Sequence, residues 1–419
     1  MKIKKPTIYY VILFLLMIVD LNFLNLVDTA TFNIVGIYYT DIVFMLNVGV
    51  FLYQIVKDGF LVIKKVNGIY VIGLIVIMIT SAFAGRGTYN QSILAGIVAQ
   101  REWISWMLLI YPISRWLQLK KITVGGVKKS IINLCNIYAS ICILQYLLNG
   151  VIKFTYTTVN NRYGSIRLYF NTIFFCFAVG IVIDRLIVQN KKSINDIIIS
   201  WVELISYLFV IIFITKGRMQ TLSLLCAIAI CLLLRRNIQV NKKIVICLLM
   251  VILMYAFMSS TIGQDILNSI MGTSENDTLS VRDAGRVYYL GLYTQSWKRI
   301  LFGCGFANSH NTYAVKLLNP LWQEYGSARY YLEDVGILSP LVKYGLVGII
   351  LWGGIMIKNI LLSYKIYKKS GEMVYFQFLI MDLIACATLI PTMFNTTILF
   401  PIITAVIIFR SRELEIMRE

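Results

Sequence analysis

The chain has 419 residues, of which 58% are apolar and only 14% charged, and it carries a net charge of +19. Soluble domains run at roughly 45–50% apolar and about 25% charged. The balance therefore excludes a disordered chain, a disulfide-stapled secreted domain and an ordinary soluble enzyme, and it predicts a polytopic membrane protein.

A membrane-crossing helix needs about 20 largely apolar residues. The hydropathy pattern predicts twelve such stretches, at 8–27, 33–56, 66–84, 96–118, 131–149, 168–188, 197–215, 219–234, 244–262, 336–360, 374–392 and 396–410. The fourth is interrupted by Gln100, Arg101 and Glu102, and the eighth and twelfth are short. No small-residue cleavage site follows the basic start at Lys2, Lys4 and Lys5, so the first stretch reads as a retained span. The expected fold class is an all-α polytopic membrane protein. Residues 1–262 form nine spans, 263–334 a large extracytoplasmic loop, and 335–419 three more spans.

Lysines set the expected orientation. Alternate connections carry Lys57, Lys64 and Lys65; Lys120, Lys121, Lys128 and Lys129; Lys191 and Lys192; Lys242 and Lys243; and Lys365, Lys368 and Lys369. The positive-inside rule then places both termini in the cytoplasm of a multi-pass cell-membrane protein. This assignment absorbs most of the net charge, so no nucleic-acid partner is implied. Arginines are distributed otherwise. Arg86, Arg101, Arg162, Arg167, Arg218, Arg282, Arg286, Arg299 and Arg329 fall on or near the outer face. The guanidinium is a planar fork suited to phosphate or carboxylate, whereas the lysine ammonium is a mobile point charge. An arginine-rich outer face in a lysine-oriented protein points to an anionic ligand there. The plainer alternative is arginines that snorkel or pair at helix ends.

Seven of the eight Cys lie within predicted spans, with Cys304 alone outside them, and no Cys/His cluster has metal-ligand spacing. No metal or cofactor is expected.

The long loop is rich in Tyr and holds the chain's single His. Ser280-Val281-Arg282-Asp283 fits a capping box opening an amphipathic helix over 281–299. Arg282 and Arg286 share its face, continued by Tyr289 and Tyr293. Downstream come Gly303-Cys304-Gly305, then His310-Asn311, then Glu333-Asp334-Val335-Gly336, then Tyr344-Gly345-Leu346-Val347-Gly348. His310, Glu333 and Asp334 are the candidate general bases. The plainer readings are a loop histidine without a task and acidic residues favoured at a helix start.

In these features the chain resembles the O-antigen and capsular polysaccharide repeat-unit polymerases, and more distantly the O-antigen ligases. The resemblance covers the overall architecture and three stretches: Asn161-Arg162-Tyr163-Gly164-Ser165-Ile166-Arg167, Thr215-Lys216-Gly217-Arg218, and the run from Arg282 through the Gly-x-Gly turn to Gly348. In ligase-like members a His-Asn pair stands near the last Gly-Leu-x-Gly; here Glu333-Asp334 stands there instead. The resemblance implies a GT-C-like membrane glycosyltransferase acting on undecaprenyl-pyrophosphate-linked oligosaccharide at the outer face, with the bilayer and a chain-length regulator as partners. It implies that Arg218, Arg282 and Arg286 stabilise the leaving pyrophosphate, with Arg162, Arg167, Lys216, Tyr289 and Tyr293 binding substrate. A ligase, or a flippase of the same lipid, is the alternative. The flippase reading draws on Asp20, Asp41, Glu203 and Asp382, which fall inside predicted spans.

Overall fold

The computed structural model describes residues 5–29, 31–34, 37–162, 165–188, 193–235, 278–308, 310–318, 320 and 330–416. The ninth predicted span and the first part of the long loop lie outside them.

The described chain is mostly helical. Its first half comprises α1 (Lys5–Asp20), α2 (Tyr39–Asp58), α3 (Phe60–Tyr89), α4 (Ile93–Ala99), α5 (Arg101–Leu108), α6 (Ile110–Gln118), α7 (Val124–Leu147), α8 (Ile173–Val188), α9 (Ile194–Phe209) and α10 (Arg218–Leu234). After residue 277 come α11 (Thr278–Thr294), α12 (Trp297–Phe302), α13 (Thr312–Leu318), α14 (Leu338–Ser370), α15 (Val374–Ala385) and α16 (Leu399–Ile416). Two short antiparallel hairpins, β1–β2 (Asn33–Ile34, Ile37–Tyr38) and β3–β4 (Val159–Arg162, Ser165–Leu168), sit in connections.

Among the described residues, five helical stretches are long and apolar enough to cross a membrane, or six if the bent pair α4–α6 counts as one. Eleven of the twelve predicted stretches coincide with helices. The bent pair turns by 57° at Gln100, the interruption visible in the sequence. Gln100 is fully buried, and its amide donates to Gly96 O (2.9 Å) and Met78 O (3.2 Å) in place of the broken ladder. α14 is also broken: Gly345 adopts φ +66°, ψ −174° inside it.

Where helices stop inside the apolar core, their free amides need acceptors. Buried carboxylates supply them. Asp184 accepts from the amides of Met373 (2.9 Å) and Val374 (3.0 Å) at the start of α15. Asp382 accepts from the Thr392 amide (2.9 Å) and hydroxyl (2.6 Å). Asp20 takes the Thr397 hydroxyl (2.7 Å) and the Ile398 amide (3.3 Å) ahead of α16. The other two acids that suggested a polar path are in ion pairs, Asp41 with Arg101 (2.9 Å) and Glu203 with Arg185 (2.7 Å).

The two ends of the bundle are built differently. At one, Lys57 bonds Tyr9 (2.9 Å), and Lys128 (3.1 Å) and Arg410 both grip Glu372. The other is topped by a lobe built from α11–α13 and a 3-10 turn, Leu332–Val335. Its core is Tyr289, Leu292, Tyr293, Cys304 and Leu332, closed from below by Tyr89 and Val342.

The lobe corrects the expected amphipathic helix. The described helix runs Thr278–Thr294, so Ser280 lies inside it rather than capping it, and it ends at Thr294. Ser296 then caps α12, its hydroxyl accepting from the Arg299 amide (3.3 Å). One predicted helix is thus two, because a serine in extended conformation competes for the backbone amide.

Candidate functional site

The lobe is fastened to the bundle by glycines. The Cys304 and Gly305 amides donate to Val342 O (2.6 Å) and Lys343 O (3.1 Å), the carbonyls just ahead of the α14 break. A Cβ on Gly303 would sit 2.7 Å from Gly345 N, and one on Gly345 would strike Gly303 N and Leu301 O. Both glycines hold a backbone conformation open essentially to glycine alone, φ +77°, ψ −172° and φ +66°, ψ −174°. The Gly-x-Gly turn and the Gly-Leu-x-Gly stretch are therefore two halves of one backbone crossing. Gly336 makes a third close approach, with no room for a Cβ against Cys386 O and Ala387 O.

Around these crossings lie two groups of cations. In the first, the β3–β4 hairpin brings Arg167 to the turn between α9 and α10. Its Nε donates to Thr215 O (2.7 Å), its Nη1 to Tyr169 Oη (3.1 Å), and its guanidinium stacks 4.2 Å from the Tyr169 ring. α9 continues into a π-helical turn, Val210–Ile214, and the Thr215 hydroxyl bonds Ile211 O (2.9 Å). Lys216 follows with φ +49°, and Arg218 opens α10. Burial, reinforced by the charge of Arg167, lowers the Lys216 ammonium below the ordinary lysine pKa. Two arginine-bearing stretches some fifty residues apart in sequence are thus one positive locus, at a helix N-terminus where the dipole adds to it. Arg162 ends β3, paired with Ser165; its side chain lies outside the described residues.

The second group is on the lobe. Arg282 stands 4.0 Å from Asp334, and Lys343 3.4 Å from Glu333. Arg286 spans two acceptors, Asp283 (2.8 Å) and Ala387 O (3.0 Å). These are solvent-open pairs worth at most about 1 kcal/mol each, so they hold the side chains loosely and leave them open to a stronger anion.

The two groups occupy the same end of the bundle. α10 packs along α15. Arg235, just past the end of α10, acts on Asp184, which caps the start of α15, and Tyr367 Oη donates to Cys231 O (2.9 Å) at the same level. The helices therefore run antiparallel, over roughly 25 Å and 18 Å. Arg218 begins α10 where α15 ends, and Ala387, the acceptor for Arg286, is two residues past that end.

Other predicted residues are elsewhere. Tyr289 is fully buried and its hydroxyl bonds Leu318 O; Tyr293 is buried and bonds Ile300 O (2.7 Å). They are lobe core, which corrects their assignment to substrate contact. Tyr289→Phe should lower stability by about 0.5–1.5 kcal/mol, the worth of one ordinary hydrogen bond, here to a half-buried carbonyl; chemical denaturation in detergent checks it. His310 is exposed, its amide donating to Asn308 Oδ1 (2.9 Å). Asn311 caps α13 through Ala314 N (3.1 Å) and donates to Tyr89 O (2.9 Å), so this pair belongs to the α3 corner of the lobe. Glu333 and Asp334 lie among the cations. Two site residues escaped the sequence reading. Tyr169 had a signal, since it follows β4 directly, two residues from Arg167, and an extended chain puts such residues on one face; Lys343 had none, because it meets Glu333 only through the turn at Gly336 (φ +62°) between them.

No protein-family model matches the chain, and no curated protein matches it.

Proposed function

We propose that the protein is a membrane glycosyltransferase that polymerises undecaprenyl-pyrophosphate-linked oligosaccharide repeat units, as the polymerases it resembles do. On this reading it has twelve spans, a GT-C-like fold and cytoplasmic termini. The lysine-rich end faces the cytoplasm and the arginine-bearing end faces out. The observation that carries the proposal is the bond from Arg167 to Thr215 O, which unites the two arginine stretches beside Lys216 and Arg218.

The reaction joins two lipid-linked units. An acceptor hydroxyl attacks the anomeric carbon of the donor. A new glycosidic C–O bond forms, the C–O bond to pyrophosphate breaks, and the hydroxyl proton passes to a base. Charge grows on the departing lipid diphosphate, and fixed guanidinium groups are suited to stabilise it. Arg218, Arg286 and Arg282 take that role, with Arg167 and Lys216 holding the diphosphate before reaction.

Asp334 is the favoured base, because it stands 4.0 Å from Arg282 and so borders the cationic region. In a reconstituted assay with a purified lipid-linked repeat unit, wild-type protein should yield a ladder of polymer. Asp334→Asn should cut turnover by roughly 10²- to 10⁴-fold, Glu333→Gln less, and His310→Ala little. Full turnover in all three variants would leave none of them as the base, and absence of any ladder from active membranes would overturn the proposal.

A second reading, movement of the same lipid across the bilayer, draws on the α4–α5 bend, where Arg101 and Asp41 pair beside buried Gln100. Broken helices with charged residues are common in transporters. The same proteoliposomes separate the readings: transport changes which leaflet holds the lipid-linked unit without lengthening the glycan.

A further inference from the structure

A groove of about 600 Å³ runs between the last turns of the candidate span Tyr70–Tyr89 in α3 and the short helix α12. That volume is in the range of small-molecule and lipid-chain sites. Ile79, Phe83 and Phe302 line its floor, and Ile79 and Phe83 are 44% and 56% exposed. Apolar side chains left this open, on a helix suited to crossing a membrane, face hydrocarbon rather than water. The rim is different. Trp297 is 63% exposed, with the Lys298 ammonium 5.9 Å from its ring centroid. Tryptophan and lysine together mark the boundary between acyl chains and headgroups. Lys298 gives the rim its positive charge, and among the described residues no acidic side chain lines the groove.

Arg299 also borders the groove, yet its guanidinium is turned into the lobe. Nη1 donates to Leu292 O (3.1 Å) and to Gln295 Oε1. The rim therefore offers mobile point charge rather than a planar fork. That suits a phosphodiester monoanion better than a diphosphate, which gains from bidentate contacts.

We propose that this groove holds one anionic diacyl phospholipid of the phosphatidylglycerol class. An acyl chain lies along Ile79, Phe83 and Phe302, and the headgroup phosphate rests against Lys298. This site is separate from the arginine locus and does not depend on the polymerase assignment. The bound lipid braces α12, the segment immediately ahead of the Gly303 crossing.

The test uses the full chain in nanodiscs, with phosphatidylglycerol or phosphatidylcholine brominated on the acyl chains as quencher of tryptophan fluorescence. Brominated phosphatidylglycerol should quench at lower mole fraction than brominated phosphatidylcholine. The excess should vanish in Trp297→Phe, whose other tryptophans are unchanged. Lys298→Gln should weaken the preference roughly fivefold, the worth of one interfacial cation. Equal quenching by both lipids, or a preference that survives Trp297→Phe, would overturn the proposal. Relief of quenching by stoichiometric undecaprenyl pyrophosphate, but not by unbrominated phosphatidylglycerol, would also overturn it and give the groove to the substrate. Polymer formation is not read in this experiment, so its failure and that of the polymerase reading are distinguishable.

Discussion

Arg218→Lys should reduce polymer formation by roughly 10²- to 10³-fold, the loss seen when one preorganised donor to a developing anion is removed, with little change in folding. The substitution keeps a positive charge at the first position of α10, so helix stability and any long-range attraction for anions survive. What it removes is the fork that can contact two oxygens of a diphosphate together. Arg286→Lys should behave alike, for a visible reason: a single ammonium cannot reach both Asp283 and Ala387 O with the guanidinium's geometry. Product length on gels and the accumulation of unjoined lipid-linked units are the measurements. Wild-type polymer from both variants would remove the arginines from the reaction.

Gly345→Ala should be among the most damaging single-methyl additions available in this chain. The new Cβ meets Gly303 N and Leu301 O, which are backbone atoms and cannot swing aside, and the residue must also hold φ +66°, ψ −174°. Strain in that region alone costs about 1–3 kcal/mol, and the clash adds to it. Gly49→Ala is the matched control. It lies in α2 with nothing within 4 Å of the place its new methyl would take, so the helix should gain about 1 kcal/mol. Thermal melting in detergent should separate the two by many degrees. If Gly345→Ala melts with wild type, the crossing does not hold the lobe.

Long apolar helices were legible because twenty-residue windows carry their own signal, and the bend at Gln100 was legible because three polar residues interrupt one such window. The orientation of α11 was half legible. Its stripe through Arg282, Arg286, Tyr289 and Tyr293 is real, but periodicity does not say what covers it. A membrane surface and a small protein core demand the same spacing, and here Cys304, Leu332 and Val342 supply a core. The break in α14 was not legible as a break, because Gly303, some forty residues earlier, creates the need for it. Of the four acids that suggested a polar path, Asp20 and Asp382 are occupied by backbone amides, and Asp184, which the sequence did not single out, serves in the same way; the amides on Asp20 and Asp184 lie nearly two hundred residues away or more, a pairing invisible to any local window. The meeting of Arg167 with Thr215 was foreshadowed only by the resemblance that singled out both stretches.

The glycine crossing also constrains the order of biogenesis. Gly305 lies against Ser81 and Gly85, while Gly303 lies against Gly345, so one tripeptide is clamped by segments synthesised far apart in time. The early clamp is inserted long before the ribosome reaches the late one. A nascent chain halted before α14 would present its lobe to the translocon without the Val342 and Lys343 carbonyls that secure it. Surveillance proteases at the membrane would meet such truncated chains as unfinished goods, and the completed chain as a closed one.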